Sequence, residues 1–387
     1  MTVPSVNWNY PTAIKAGPGR IKELPDWCRE LGMARPLLVT DPGLAALPMI
    51  ADAVRGCRQA GLECGLFHEV KGNPTGRNVD DGVARYREGR HDGVIAFGGG
   101  SALDAAKAIA LMAGQKRPLW DFEDVGDNYL RVNVAGMAPV VAVPTTAGTG
   151  SEVGRASVIT DEAAQVKRII FHARMLPAIV ILDPELTVGL PPRITAATGM
   201  DALSHNLEAY CSPFFHPMAA GIALEGMRIV KEYLPQAVAD GADLQARQQM
   251  LVASSMGATA FQRGLGAMHA LAHPLGALYD AHHGMLNAIL MPYVLKANQH
   301  AVAPRLRALA RYLALPDDSP GAVLDWVLAL RETVGIPHTL ADIGIDDAEA
   351  ERVGRMASED PSGGTNPVAY TPDQYAELFR AAVRGIL

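Results

Sequence analysis

Asp201 and His205 stand four residues apart, as do His269 and His273, and His283 follows just before Gly284. On an α-helix, residues i and i+4 share a face, so each pair can turn both side chains toward one point. Five of the eleven histidines fall in or beside these segments: His205, His269, His273, His282 and His283. Turning carboxylate and imidazole groups inward from mostly apolar helices is costly unless they are paired or bind a metal. Three imidazoles and one carboxylate (Asp201, His205, His269, His283) suit Fe²⁺ or Zn²⁺ and are too nitrogen-rich for Mg²⁺ or Ca²⁺. Spacing alone leaves two readings open: a metal centre, or histidines satisfied by hydrogen bonds in an apolar core.

Two other stretches suit a phosphate-bearing ligand. Gly98, Gly99, Gly100 and Ser101 follow an apolar run and open a helical pattern. Bare backbone can pass close to a pyrophosphate there, and a helix N-terminus offers free N–H groups. Ser101 with Asp104 fits a capping box at that helix start, so Asp104 joins the candidate set. Pro144 to Glu152 carries Thr145, Thr146, Thr149 and Ser151 among glycines, a loop of hydroxyl donors suited to phosphate and ribose oxygens. Without a ligand, both stretches read as tight turns. Asp41 closes another apolar run. An acid there can accept bonds from both ribose hydroxyls of NAD and repel the 2′-phosphate of NADP, or it can serve as an Asx turn at Asp-Pro-Gly.

These residues need a frame. Pro36 to Thr40, Leu62 to Val70, Gly93 to Phe97, Val140 to Val143 and Ile179 to Leu182 read as strands, with helical spacing over 44–60, 78–89 and 102–113 between them. That alternation predicts a parallel sheet covered by helices, with ligands at the C-terminal ends of its strands. After Leu190-Pro191-Pro192 the pattern turns helical, over 194–210, 218–234, 243–261 and 304–313. The expectation is an α/β domain over 1–190 and an all-helical domain over 191–387. Ser358 to Pro372 reads as a surface loop before a last helix.

Composition narrows the class. With 387 residues, 49% hydrophobic and 19% charged, the chain can bury a sizeable core in two or three domains. A formal net charge of −7 argues against nucleic acid or an anionic membrane as partner. No signal peptide and no eighteen-residue apolar run is visible. Four cysteines without a Cys-x-x-Cys pair suit free thiols in a reducing cytoplasm.

The motifs Gly98-Gly-Gly-Ser-Ala-Leu-Asp-Ala-Ala-Lys107, Pro144-Thr-Thr-Ala-Gly-Thr-Gly-Ser-Glu152, Asp183-Pro-Glu-Leu-Thr187, Ala197-Thr-Gly-Met-Asp-Ala-Leu-Ser-His205 and His269-Ala-Leu-Ala-His-Pro-Leu-Gly276, continuing to His283-Gly284, occur together and in order. In these the chain resembles the iron-containing (group III) alcohol dehydrogenases, over about Pro36 to Asn298. The resemblance implies a dehydroquinate synthase-like fold, with a Rossmann-like nucleotide domain, a helical metal domain and an active site between them. It implies Asp201, His205, His269 and His283 as metal ligands, Fe²⁺ as the metal (Zn²⁺ also fits), and Gly98 to Ser101 as the pyrophosphate loop. It further implies Thr145, Thr146, Thr149, Ser151, Asp41 and Lys167 as NAD contacts, His273 beside nicotinamide and substrate, and a homo-oligomer. The implied reaction interconverts a small alcohol and its aldehyde or ketone, with His273 as candidate proton relay. Gly154-Arg155 departs from many relatives, and Arg155 is expected on the surface. His282 is an additional histidine, expected to point away from the metal. Rival readings are a metal-independent maleylacetate reductase-like enzyme, a cyclase on the same architecture, and a non-catalytic metal or nucleotide binder.

Overall fold

Strands made of Val, Ile, Leu and Ala and buried along their whole length need helices on both faces, and the first half of the chain supplies both. The structure, a computed structural model, describes Tyr10–Leu387. It divides into two units: Pro11–Thr146 with Gly150–Gly189, and Ala147–Thr149 with Leu190–Leu387.

The first unit holds strands β1 (Ala13–Ala16), β2 (Pro36–Val39), β3 (Gly65–Phe67), β4 (Gly93–Gly98), β5 (Val140–Pro144), β6 (Ala156–Asp161), β7 (Val166–Phe171) and β8 (Ile179–Leu182). Six of them form a parallel sheet in the order β1-β8-β5-β4-β2-β3, and β6 and β7 form an antiparallel hairpin. Helices α1 (Leu24–Glu30), α2 (Pro42–Ala45), α3 (Pro48–Gln59), α4 (Gly76–Glu88) and α5 (Gly100–Met112) connect the strands. The register sets Val39 beside Ala96 and Gly98 beside Pro144. The loops after β2, β4 and β5 therefore emerge side by side at the C-terminal ends of neighbouring strands, where open α/β sheets bind ligands.

The second unit is helical among the described residues: α6 (Pro192–Cys211), α7 (Pro217–Ala239), α8 (Leu244–Ala260), α9 (Ala267–Tyr279), α10 (His283–Asn298), α11 (Ala303–Tyr312), α12 (Pro320–Thr333), α13 (Ala350–Glu359) and α14 (Pro372–Arg384). Pro192 sits in the first turn of α6, where its missing N–H costs nothing. Every residue of α6 from Thr195 to Cys211 is buried, so this helix is enclosed on all faces rather than amphipathic. No helix among the described residues is long and apolar enough to cross a membrane, and all four cysteines are free and buried.

Four expectations change. The helix expected over 44–60 breaks at Leu47, which is extended ahead of Pro48, as residues before proline prefer. The strand expected over 62–70 shrinks to Gly65–Phe67. β1 and the β6–β7 hairpin were not anticipated. β1 is a mostly exposed edge strand of only four residues, interrupted by Lys15, whereas β6 alternates half-buried and buried positions along its length. The capping box at Ser101 is absent: Gly99 is the N-cap of α5 and no side chain caps it. The segment expected as a surface loop over 358–372 instead holds a short 3-10 helix, Pro361–Thr365, in which Ser362 is buried, and the adjoining Asn366 is buried too.

Candidate metal centre and nucleotide-binding loops

α6 brings Asp201 and His205 to one face, α9 supplies His269, and α10 starts with His283. One donor atom from each of the four lies within 4.8 Å of all the others. Asp201, His205 and His269 are buried, and the His283 side chain is 22% exposed, which leaves one side of the cluster approachable. Gly284 makes the approach of α10 possible, since a Cβ there would fall 2.6 Å from the Ala197 carbonyl of α6. His282 is the N-cap of α10, its Nδ1 accepting from the Met285 N–H at 3.3 Å.

The donor set fits a divalent cation. His205 and His269 meet Nε2 to Nε2 at 3.0 Å. The Asn287 amide nitrogen lies 2.8 Å from Asp201 Oδ1, 3.2 Å from His269 Nε2 and 3.1 Å from His283 Nε2. An amide nitrogen carries two hydrogens and cannot satisfy three acceptors at once. The convergence of lone pairs exceeds the protons available, a deficit that a cation removes. Burial lowers the pKa of His205 to about 4, keeping it in the neutral form a metal needs. Burial also opposes a proton on His269, but the negative field of Glu208, with Asp201 and Asp360, outweighs it and raises that pKa; the same field attracts a metal cation.

Glu208 was not anticipated. It lies one turn beyond His205 on α6, and its Oε2 stands 2.6 Å from His269 Nδ1. A carboxylate at that nitrogen holds the ring with Nε2 toward the cluster, as in carboxylate–histidine–metal arrangements. Asn287, fully buried four residues after His283, is the second unanticipated member. His273 stands beside the cluster: its ring is stacked on His283 with centroids 5.7 Å apart, and its Nδ1 is 2.8 Å from Asp360 Oδ2.

In the sheet unit, Gly98 has φ +149° and a Cβ on it would lie 2.7 Å from the Cβ of Ala102, so glycine alone fits between β4 and α5. With Gly99 and Gly100 it leaves the first N–H groups of α5 bare. The second loop adjoins the first: Thr145 N–H donates to the Gly98 carbonyl at 2.9 Å, and the Thr146 hydroxyl lies 3.3 Å from where a Cβ on Gly99 would sit. Asp41 Oδ1 caps α2 through the Leu44 N–H at 2.9 Å, while Oδ2 lies 3.7 Å from the Gly98 Cβ position, beside the glycine loop. Lys167 on β7 donates to Asn73 Oδ1 at 2.8 Å, and the Asn73 N–H reaches Ser101 Oγ at 3.3 Å. Asn73, in Gly72-Asn-Pro-Thr75, is thus another loop residue the sequence did not flag.

Asp104 faces protein groups. Its Oδ1 accepts from Ser151 Oγ at 2.5 Å and lies 3.2 Å from Lys107 Nζ, and its Oδ2 accepts from the Val158 N–H at 2.9 Å. Lys107, buried, also donates to the Ala156 carbonyl. This buried network ties α5 to the end of the second loop and to β6. Thr149 lies in the three-residue tip assigned to the helical unit, where a Cβ on Gly148 would lie 2.8 Å from Thr198 Cβ on α6. Arg155, expected on the surface, is half-buried with its guanidinium over the Phe171 ring at 5.7 Å.

Comparison with known proteins places this arrangement. Residues 11–184 match the family described as iron-containing alcohol dehydrogenase, and residues 195–383 match its C-terminal domain. The chain is 38% identical over 386 residues to the 4-hydroxybutyrate dehydrogenase of Cupriavidus necator, covering 97% of this chain and 99% of that one. It is 34% identical to the NAD-dependent methanol dehydrogenase of Bacillus methanolicus, covering 97% of this chain and all of that one. Among solved structures, that of a 1,3-propanediol oxidoreductase superposes with a TM-score of 0.93 at 35% identity, covering 98% of this chain and 100% of that one. The chain therefore belongs to the iron-containing alcohol dehydrogenase family and is an oxidoreductase.

Proposed function

We propose that this protein interconverts a small primary alcohol and its aldehyde with NAD, using a divalent metal held by Asp201, His205, His269 and His283. The observation that carries the reading is the convergence of four donor atoms within 4.8 Å in a buried setting. Fe²⁺ follows from family membership, and the same donors accept Zn²⁺. When bound, the metal supplies Lewis acidity toward the substrate oxygen and favours loss of the hydroxyl proton. Glu208 keeps His269 turned to the cluster. The N-terminus of α5, with Gly98 to Ser101, receives the pyrophosphate. Thr145, Thr146, Thr149 and Ser151 supply hydroxyls along the cofactor, Lys167 joins the cofactor side while holding Asn73, whose N–H reaches Ser101, and Asp41 takes the adenosine ribose. Asp104 serves that site as a brace on Ser151. His273 accepts and passes on the hydroxyl proton through Nε2. In this reading residues 1–190 serve the cofactor and residues 191–387 serve the metal.

Relatives named for methanol, 1,3-propanediol and 4-hydroxybutyrate support a primary alcohol of one to four carbons as substrate. The complete ligand set disfavours a maleylacetate reductase-like reaction that dispenses with metal. Buried free cysteines support a reducing cytoplasmic setting. The homo-oligomer expected from the family is checked by light scattering. The test of function follows NADH formation with C1–C4 alcohols before and after chelation. Activity should vanish with the metal and return with Fe²⁺ or Zn²⁺, and NADP⁺ should serve poorly while Asp41 is intact. Turnover indifferent to the chelator defeats the metal-dependent reading.

A further inference from the structure

We propose that Asp360 is a positioning residue that fixes the tautomer of His273, holding its Nδ1–H so that Nε2 carries the lone pair. The inference rests on the reading of His273 as proton relay. Asp360 ends α13 and opens the 3-10 turn Pro361–Thr365. Its Oδ1 accepts from the Ser362 N–H at 2.9 Å, and its Oδ2 lies 2.8 Å from His273 Nδ1. Both side chains are nearly enclosed, 13% exposed for Asp360 and 12% for His273. Burial acts to raise the Asp360 carboxyl, but His273 and Ser362 hold it below the ordinary carboxylate range. An ionised carboxylate has acceptor sites only, so the hydrogen between the two residues belongs to Nδ1. In the neutral ring the lone pair then sits on Nε2, which has no hydrogen-bond partner among the described residues.

The ring is also locked in place. It stacks on His283 at an interplanar angle of 15° and meets His269 edge-on with centroids 6.0 Å apart. The turn that carries Asp360 is anchored to the same helix at its other end. Asn366 Oδ1 accepts from the Ala267 N–H at 3.1 Å, and Thr365 Oγ1 donates to the Leu265 carbonyl at 2.7 Å. Residues 360–366 thus form a strap along nearly two turns of α9, about 9 Å at the rise of an α-helix. One end of the strap fixes where the helix begins, and the other fixes the chemistry of His273.

Asp360→Asn tests this. The variant keeps the size of the side chain and an oxygen for the Ser362 N–H, but turns an amide NH₂ toward Nδ1. The ring should switch to the Nε2–H tautomer, in which Nε2 cannot take a proton. In the full chain loaded with Zn²⁺, the ¹⁵N resonances of His273 should show an unprotonated Nε2 in the wild type and a protonated one in D360N. Turnover should fall about 100-fold, within the range for loss of general acid–base catalysis. KM for NAD and the bound metal should stay at wild-type values. Asp360→Glu, which restores a carboxylate, should recover part of the rate. An unchanged tautomer or wild-type kcat in D360N overturns the assignment. His273→Ala separates the two ideas. If that variant turns over normally, the relay reading fails and this inference with it; if it is slow while D360N is not, only the role of Asp360 fails.

Discussion

Glu208 makes the buried His269 ring a more electron-rich donor toward the cluster. One of its oxygens holds Nδ1 of the ring and the other accepts from the Met268 N–H at 2.8 Å, so one carboxylate orients both the ligand and the helix that carries it. Glu208→Gln keeps an acceptor for Met268 but loses the negative charge. Metal affinity should fall about 10- to 100-fold, read by competition with a chromophoric chelator; an unchanged affinity would make Glu208 a packing residue only. Of the four clustered side chains, Asp201 and His205 were legible as an i, i+4 pair, because helix periodicity translates spacing into a shared face, and His269 stood out through its i, i+4 neighbour His273. Glu208 was not, although His205-x-x-Glu208 has helical spacing too. Its partner stands 61 residues away in the chain, and spacing along one helix cannot say which acid meets a residue from another.

α9 depends for its N-terminus on residues distant in sequence. Its N-cap, Gly266, has no side chain to offer, and the first N–H groups are taken by Asn366 and Glu208. Asn366 also forms a reciprocal amide pair with Asn298 of α10, at 2.8 and 3.0 Å. Asn366→Ala removes the cap and leaves Asn298 underpaired, and should cost about 2 kcal/mol or more. The measure is urea denaturation with and without metal, and a loss within about 0.5 kcal/mol would show that the cap is dispensable. The buried central strands were easy to read because continuous Val, Ile and Ala runs leave few alternatives. The β6–β7 hairpin was missed despite its alternation, because β7 sets Lys167 and Arg168 side by side ahead of most of its apolar residues and reads as loop. The strap over 360–366 was missed for the opposite reason. Its Gly, Ser, Pro and Asn content is that of an exposed turn, and only the buried bonds of Asp360 and Asn366 show otherwise.

Across the whole chain, the proposed reading assigns metal and nucleotide to different units. A ligand that binds only folded protein stabilises it by about 2.7 kcal/mol at a hundred times its dissociation constant. Hydrogen exchange should therefore slow most in peptides from Leu190–Leu387 when Zn²⁺ is added, and most in those from Pro11–Gly189 when NAD is added. Equal protection everywhere by either ligand would contradict that division. The change from strand–helix alternation to helices near Pro191 was readable from the spacing of apolar residues. The assignment of Ala147–Thr149 to the helical unit was not, since a three-residue tip leaves no periodic trace and shows itself only where Gly148 meets Thr198. The strap has a consequence in time as well. His269 leaves the ribosome roughly a hundred residues ahead of Asn366, an interval of about 5–20 s at ordinary rates of synthesis. Once His283 has followed, all the imidazoles of the cluster exist, but α9 still lacks its cap and His273 its carboxylate. A metal ion arriving early meets donors without their frame, so faithful loading belongs to the finished chain.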